Sequence, residues 1–128
     1  MRREVKMLEK PLAVIVEDDV DLSYIFSEAL IAAGFDTHTI RDGGEAIREL
    51  ANLQPNVVVL DLHLPHQPGT AILDYIRTHE QLKDVRVVVT TADARMAELV
   101  ETDADIVMIK PIGFNLLRDM TSRLKEEK

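Results

Sequence analysis

NVVVLDLHLP (Asn56–Pro65) carries four consecutive apolar residues, Val57–Leu60, followed at once by a carboxylate, Asp61. A short apolar run without alternation reads as a strand covered on both faces, here Asn56–Leu60. Asp61 then stands at the mouth of the core. Taking an ion out of water costs several kcal/mol unless it is paired, so something must stabilise Asp61 or make use of it.

Working outward, four further strand-like runs alternate with five helix-like ones. Leu12–Val16 is a first apolar strand, and Leu22, Ile25, Phe26, Ala29, Leu30 and Ala33 then recur at helical spacing, with Gly34 where a C-cap belongs. Asp36–Ile40 is polar and alternating, which suits a sheet edge. Asp42 and Glu45 have the spacing of a capping box for a helix to about Leu53. A helix is expected over Gly69–Thr78, a strand over Val85–Val89, a short helix in ADARMAELVE (92–101), a strand over Ile106–Ile109, and a last helix marked by Phe114, Leu117, Met120 and Leu124. Strict alternation predicts a doubly wound α/β domain: a five-stranded parallel sheet, order 2-1-3-4-5, of the flavodoxin-like type. Residues 1–11 read as an N-terminal extension and 12–126 as one domain.

Composition narrows the functions. The chain has 128 residues, 46% of them apolar, and no cysteine, so a disulfide scaffold or a thiolate metal site is excluded. A net charge of −8 argues against direct nucleic-acid binding. MRREVKMLEK at the start has no apolar run behind its arginines, and no stretch reaches membrane-spanning length, so a cytoplasmic protein without membrane insertion is expected.

The strand exits carry the chemistry. Strand one leads into Glu17, Asp18 and Asp19; strand three into Asp61; strand four into Thr90 and Thr91; strand five into Lys110 and Pro111. In a parallel sheet these exits share one edge, where ligands bind. Taken singly, each has a plain structural use: Asp18 or Asp19 as a helix cap, the threonines as strand ends, Lys110 in a solvated loop, Asp61 in a turn. Together they suit magnesium-assisted phosphoryl transfer. Clustered carboxylates need a cation, and hard oxygens without thiolates favour Mg²⁺. One carboxylate is then left as nucleophile, giving an aspartyl phosphate at Asp61, with Thr90 or Thr91 and Lys110 meeting the phosphoryl oxygens.

VIVEDDVDL (14–22), VVVLDLHLPHQPG (57–69), VVVTTADA (87–94) and MIKPI (108–112) together resemble the receiver domain of response regulators in bacterial two-component signalling. The resemblance covers about Leu12 to Leu124. It implies Glu17 and Asp18 as the acidic pair for Mg²⁺, Asp61 as phosphoacceptor and metal ligand, a backbone carbonyl of His63 on the metal, Thr91 rather than Thr90 as the hydroxyl, and Lys110 before a cis proline bond. It further implies a histidine kinase or phosphotransfer protein as donor. The domain would catalyse its own phosphorylation and dephosphorylation without being a conventional enzyme, and change shape on the face of its fourth helix, fifth strand and fifth helix. No output domain follows the last helix, so a separate output protein is expected. Two departures bear on switching: Val107 stands where the family often has an aromatic ring, and the segment from Thr91 to Lys110 is short, so a truncated fourth helix is expected.

Three other functions compete with this one. A dehalogenase-type phosphatase needs a second aspartate two residues past the nucleophile, where this chain has His63. A flavodoxin-like redox protein needs a Ser/Thr/Gly-rich phosphate loop after strand one, where this chain has acids. A receiver-like binding module that is never phosphorylated is the alternative function. The spacing of His63 and His66 suggests an imidazole metal site only weakly, since the resemblance assigns the carbonyl of His63 instead.

Overall fold

The computed structural model describes residues 10–126, so residues 1–9 of the expected extension lie outside the described residues. Ten elements follow in strict alternation: β1 (Leu12–Val16), α1 (Val20–Ala32), β2 (Asp36–Ile40), α2 (Gly43–Leu50), β3 (Val57–Asp61), α3 (Gly69–Thr78), β4 (Arg86–Thr91), α4 (Ala94–Leu99), β5 (Ile106–Ile109) and α5 (Phe114–Glu126). The sheet is parallel throughout, in the order β2-β1-β3-β4-β5. Fold class and strand order are those expected.

Alternate side chains of the central strands feed two cores. Val14, Val16, Val58, Leu60, Val87 and Val89 face Leu50, Ile72 and Ile76 of α2 and α3. Ala13, Ile15, Val57, Val59, Val88 and Met108 face Phe26, Leu30, Leu117 and Leu124 of α1 and α5. Both faces are covered, which is why the central strands read as unbroken apolar runs.

Several boundaries differ from expectation, each for a local reason. β3 runs from Val57 to Asp61 because Asp61 pairs with Thr90 and Leu62 N–H donates to the Thr90 carbonyl at 3.2 Å. Asp61 therefore closes the strand rather than following it. β4 likewise extends to Thr91. α2 ends at Leu50, short of Leu53, and its capping box is only half formed. The Asp42 carboxylate accepts from Gly44 N–H at 2.8 Å, while the Glu45 carboxylate turns to Arg48 at 3.3 Å. On α1 the expected stripe is buried at Phe26, Ala29, Leu30 and Ala33 and departs at two positions. Ile25 is exposed and Ser23 is buried, its hydroxyl donating to the Val20 carbonyl and accepting from Arg41 Nε. Gly34 does terminate α1: at φ 104° it lets its own N–H reach the Ile31 carbonyl and that of Phe35 reach Leu30, both at 3.0 Å.

At the opposite end of the sheet from the strand exits, Arg77 of α3 ties the approach to β4 and β5. Its guanidinium donates to the carbonyls of Lys83, Val85 and Asp103 and to the Asp105 carboxylate. Asp105 in turn accepts from Val87 N–H at 2.7 Å.

Gly69 opens α3 where the chain passes closest to β3. A Cβ there would collide with the Asp61 carbonyl oxygen and lie 2.5 Å from Leu62 Cα. Both are backbone atoms and cannot move aside cheaply. Gly69→Ala is expected to lower stability by about 2 kcal/mol in urea unfolding. Gly113→Ala, with nothing within 4 Å of the added carbon, should change it by less than about 1 kcal/mol.

Candidate phosphoryl and cation site

The exits of β1, β3, β4 and β5 converge as a parallel sheet requires. Glu17, one residue past β1, and Asp61, the last of β3, are 1% and 3% exposed, whereas Asp18 is exposed. One carboxylate oxygen from each of the three lies within 4.8 Å of the others. Asp19 is the one that caps α1, its carboxylate accepting from Leu22 N–H at 2.9 Å, which leaves Asp18 for the cluster. Opposite these acids, Lys110 Nζ donates to Glu17 Oε1 at 3.0 Å and lies 3.4 Å from Asp61 Oδ2. The Lys110–Pro111 bond is cis. The other Asp61 oxygen accepts from His63 N–H at 3.1 Å.

The charges are in tension. Burial, and then the charge of Asp61, push the Glu17 carboxyl above its ordinary value, although the Lys110 hydrogen bond and the Asp19 N–H oppose them. Burial would lower the Lys110 ammonium, but the hydrogen bond and charge of Glu17, followed by Asp61, outweigh it and raise Lys110, so it stays charged at neutral pH. One ammonium thus pairs with two of three clustered carboxylates, and a hard divalent cation would relieve the excess. The donor set fits Mg²⁺: oxygen ligands only, two held rigidly by burial and one open to water, with no thiolate in the chain.

The two threonines differ sharply. Thr91 Oγ accepts from Asp93 N–H at 3.0 Å and sits 3.3 Å from His63 Nε2. Thr90 is fully buried, and its hydroxyl has no partner among the described residues. Glu17, Asp61, Thr90 and Lys110 lie on the α1/α5 side of the sheet by strand parity, and Thr91 lies on the α2/α3 side. The His63 ring is turned to Thr91 rather than to the carboxylates, and His66, at φ 70°, pairs with Asp42 at 3.0 Å. The two imidazoles do not converge.

Three supports were not read from the sequence. Asp93 both caps α4, through Arg95 N–H at 2.9 Å, and engages Thr91; the threonine-x-aspartate spacing was the available signal. His66 and Gly43 pin the loop after β3 against the start of α2. A Cβ on Gly43 would meet the Gln67 and Pro65 carbonyls at 2.6 and 2.9 Å. No local pattern announces so long-range an approach.

The family model described as "Response regulator receiver domain" matches residues 13–122. Among curated proteins, the transcriptional regulatory protein PrrA of Mycobacterium leprae is 31% identical over 92% of this chain and 50% of its own length. The DNA-binding response regulator MtrA of Mycolicibacterium paratuberculosis is 34% identical over 77% and 44%. The chain spans about half the length of these relatives. Among solved structures, the chemotaxis response regulator CheY4 of Vibrio cholerae superposes with a TM-score of 0.82 at 20% identity, covering 90% of this chain and 98% of that one. The receiver domain of DrrB, solved in a BeF3-activated form, gives 0.80 at 26% identity, covering 92% and 99%. With the family model matching residues 13–122 and the strands in the order β2-β1-β3-β4-β5, the chain belongs to the response regulator receiver domain family of two-component signalling.

Proposed function

We propose that residues 12–126 form a receiver unit that accepts a phosphoryl group on Asp61 and passes the resulting change of shape to an output protein. The observation that carries this is the cluster itself: three carboxylate oxygens within 4.8 Å, with the Lys110 ammonium 3.0 and 3.4 Å from two of the groups. Glu17, Asp18, Asp61 and the His63 carbonyl would hold Mg²⁺. When bound, the ion supplies positive charge for the phosphoryl oxygens.

The chain's own residues account for the rest. Asp61 is held from behind by Gly69 and from the side by the His63 N–H, which leaves its carboxylate pinned at the site edge. An oxygen of that carboxylate attacks phosphorus. The bond from phosphorus to the donor's imidazole nitrogen breaks, and its electron pair stays on that nitrogen. Lys110 neutralises charge on the transferred group, and Thr91 turns from Asp93 and His63 to donate to a phosphoryl oxygen. A histidine kinase or phosphotransfer protein is the donor that this chemistry suits. The chain's net charge of −8 leaves no excess of cations to engage nucleic acid. No helix among the described residues is long and apolar enough to cross a membrane.

The response is expected to leave through α4. This helix has six residues and none is buried, so little packing resists its displacement. It lies beside a groove of about 180 Å³ lined by Ala97, Glu98, Glu101, Val107 and Ile109. Val107, a small branched residue, fills little of that space, so its shift changes little buried area. Thr91, two residues before the α4 cap Asp93, links the site to this helix directly.

With Mg²⁺ and acetyl phosphate, the protein should gain one phosphoryl mass, and Asp61→Asn should gain none. An equal gain in the variant would move the nucleophile elsewhere. Mg²⁺ at a hundred-fold excess over its dissociation constant should stabilise the parent by about 2.7 kcal/mol in thermal unfolding. Asp18→Asn should lose most of that increment while being no less stable than the parent without the ion, because one of three repelling charges is gone. Amide exchange with and without beryllofluoride should change most between Thr90 and Val100. A change centred on Ile106–Ile109 would show that β5, not α4, transmits the signal.

A further inference from the structure

Thr90 occupies a place that its burial alone does not explain. It pairs with Asp61 on one side and Met108 on the other, and Glu17 follows the Val16–Leu60 pair by one residue. Glu17, Asp61, Thr90 and Met108 therefore form one row across the sheet, on the α1/α5 face. Lys110, two residues beyond Met108, stands on that face too. Neighbouring strands are about 4.8 Å apart, so a lysine rooted after β5 that touches Asp61 and Glu17 must run its stem across the end of β4, over Thr90. An ammonium has three donors. Its partners among the described residues are Glu17 and Asp61, while the hydroxyl of Thr90, on the same face of the sheet, is fully buried and unpartnered.

We propose that Thr90 is a positioning residue for Lys110. The inference rests on the reading of Asp61 as phosphoacceptor with Mg²⁺ at Glu17 and Asp18. A Glu17 carboxylate that turns to a divalent cation gives up its hydrogen bond to Lys110. The Thr90 oxygen then accepts from the ammonium, and the Thr90 O–H donates to Asp61, its neighbour in the row. Lys110 stays over Asp61 instead of following Glu17 toward the ion. The hydroxyl is thus idle in the resting protein and engaged in the loaded one. Thr91 lies on the other face of the sheet and on the same reading serves a phosphoryl oxygen, so it does not take this place.

The test compares the parent with Thr90→Val, which keeps the shape and deletes the hydroxyl, and with Thr90→Ser, which keeps the hydroxyl. Without ligand, Thr90→Val should melt at or above the parent, because an unpaired buried hydroxyl has been removed. With Mg²⁺ present, calorimetric titration with beryllofluoride should show binding about ten-fold weaker than in the parent, with a similar fall in the rate of phosphorylation by acetyl phosphate. Thr90→Ser should recover both to within about two-fold. Thr90→Val binding as tightly as the parent would make the residue a filler of buried space and overturn the proposal. Thr90→Ser failing as badly as Thr90→Val would assign the effect to the lost methyl and overturn it as well. A parent that binds no beryllofluoride would instead overturn the phosphoacceptor reading, and this inference with it.

Discussion

The bridge from Lys110 to Glu17 and Asp61 is the contact on which the arrangement depends. Two carboxylates are buried side by side, and among the described residues Lys110 supplies the ion pairs recorded for both. Removing one partner of a buried ion pair costs about 3–5 kcal/mol. The bridge spans 93 residues of sequence, so it exists only if β5 returns to the same edge as β1 and β3. The order β2-β1-β3-β4-β5 accomplishes this, and the covering helices keep water from the row where the charges sit.

The same bridge leaves the site short of positive charge. Glu17 is driven toward its neutral form by burial and by Asp61, while Lys110 is held charged by both acids. A cluster so poised is held in place by steric devices remote from the charges. Gly69 admits the Asp61 carbonyl, and Gly43 and His66 fasten the loop that follows β3. These contacts set where His63 and Asp61 lie, and with them the geometry available to a cation.

Much of this was legible in the sequence, and the exceptions are instructive. The run Val57–Leu60 could only be a strand covered on both sides, and alternation with helices then dictated the parallel sheet. Strand exits placed Glu17, Asp61 and Lys110 at one edge without further assumption. Residue type could not choose between Asp18 and Asp19, since both suit a cap; the choice depends on which one the first turn of α1 faces. Nor could it separate Thr90 from Thr91, because adjacent residues on a strand point to opposite faces and the phase follows from pairing with Asp61. Ser23 was hidden for a related reason. Its buried hydroxyl accepts from Arg41, which arrives from beyond β2. Contacts made across long stretches of chain leave no local periodicity to read.

Thr90 and Thr91 belong to different layers of the molecule, and this divides the domain by task. Glu17, Asp61, Thr90 and Lys110 rest on the core beneath α1 and α5; Thr91, His63 and Asp93 adjoin the side of α3 and α4. On the proposed reading, the first layer grips the phosphoryl group, while the second both meets it, through Thr91 and His63, and carries its arrival to α4. The layers meet at a single sheet edge, one residue apart. Sequence drift beyond Thr91, in α4 and the groove beside it, can therefore retune read-out while the charged row is left intact.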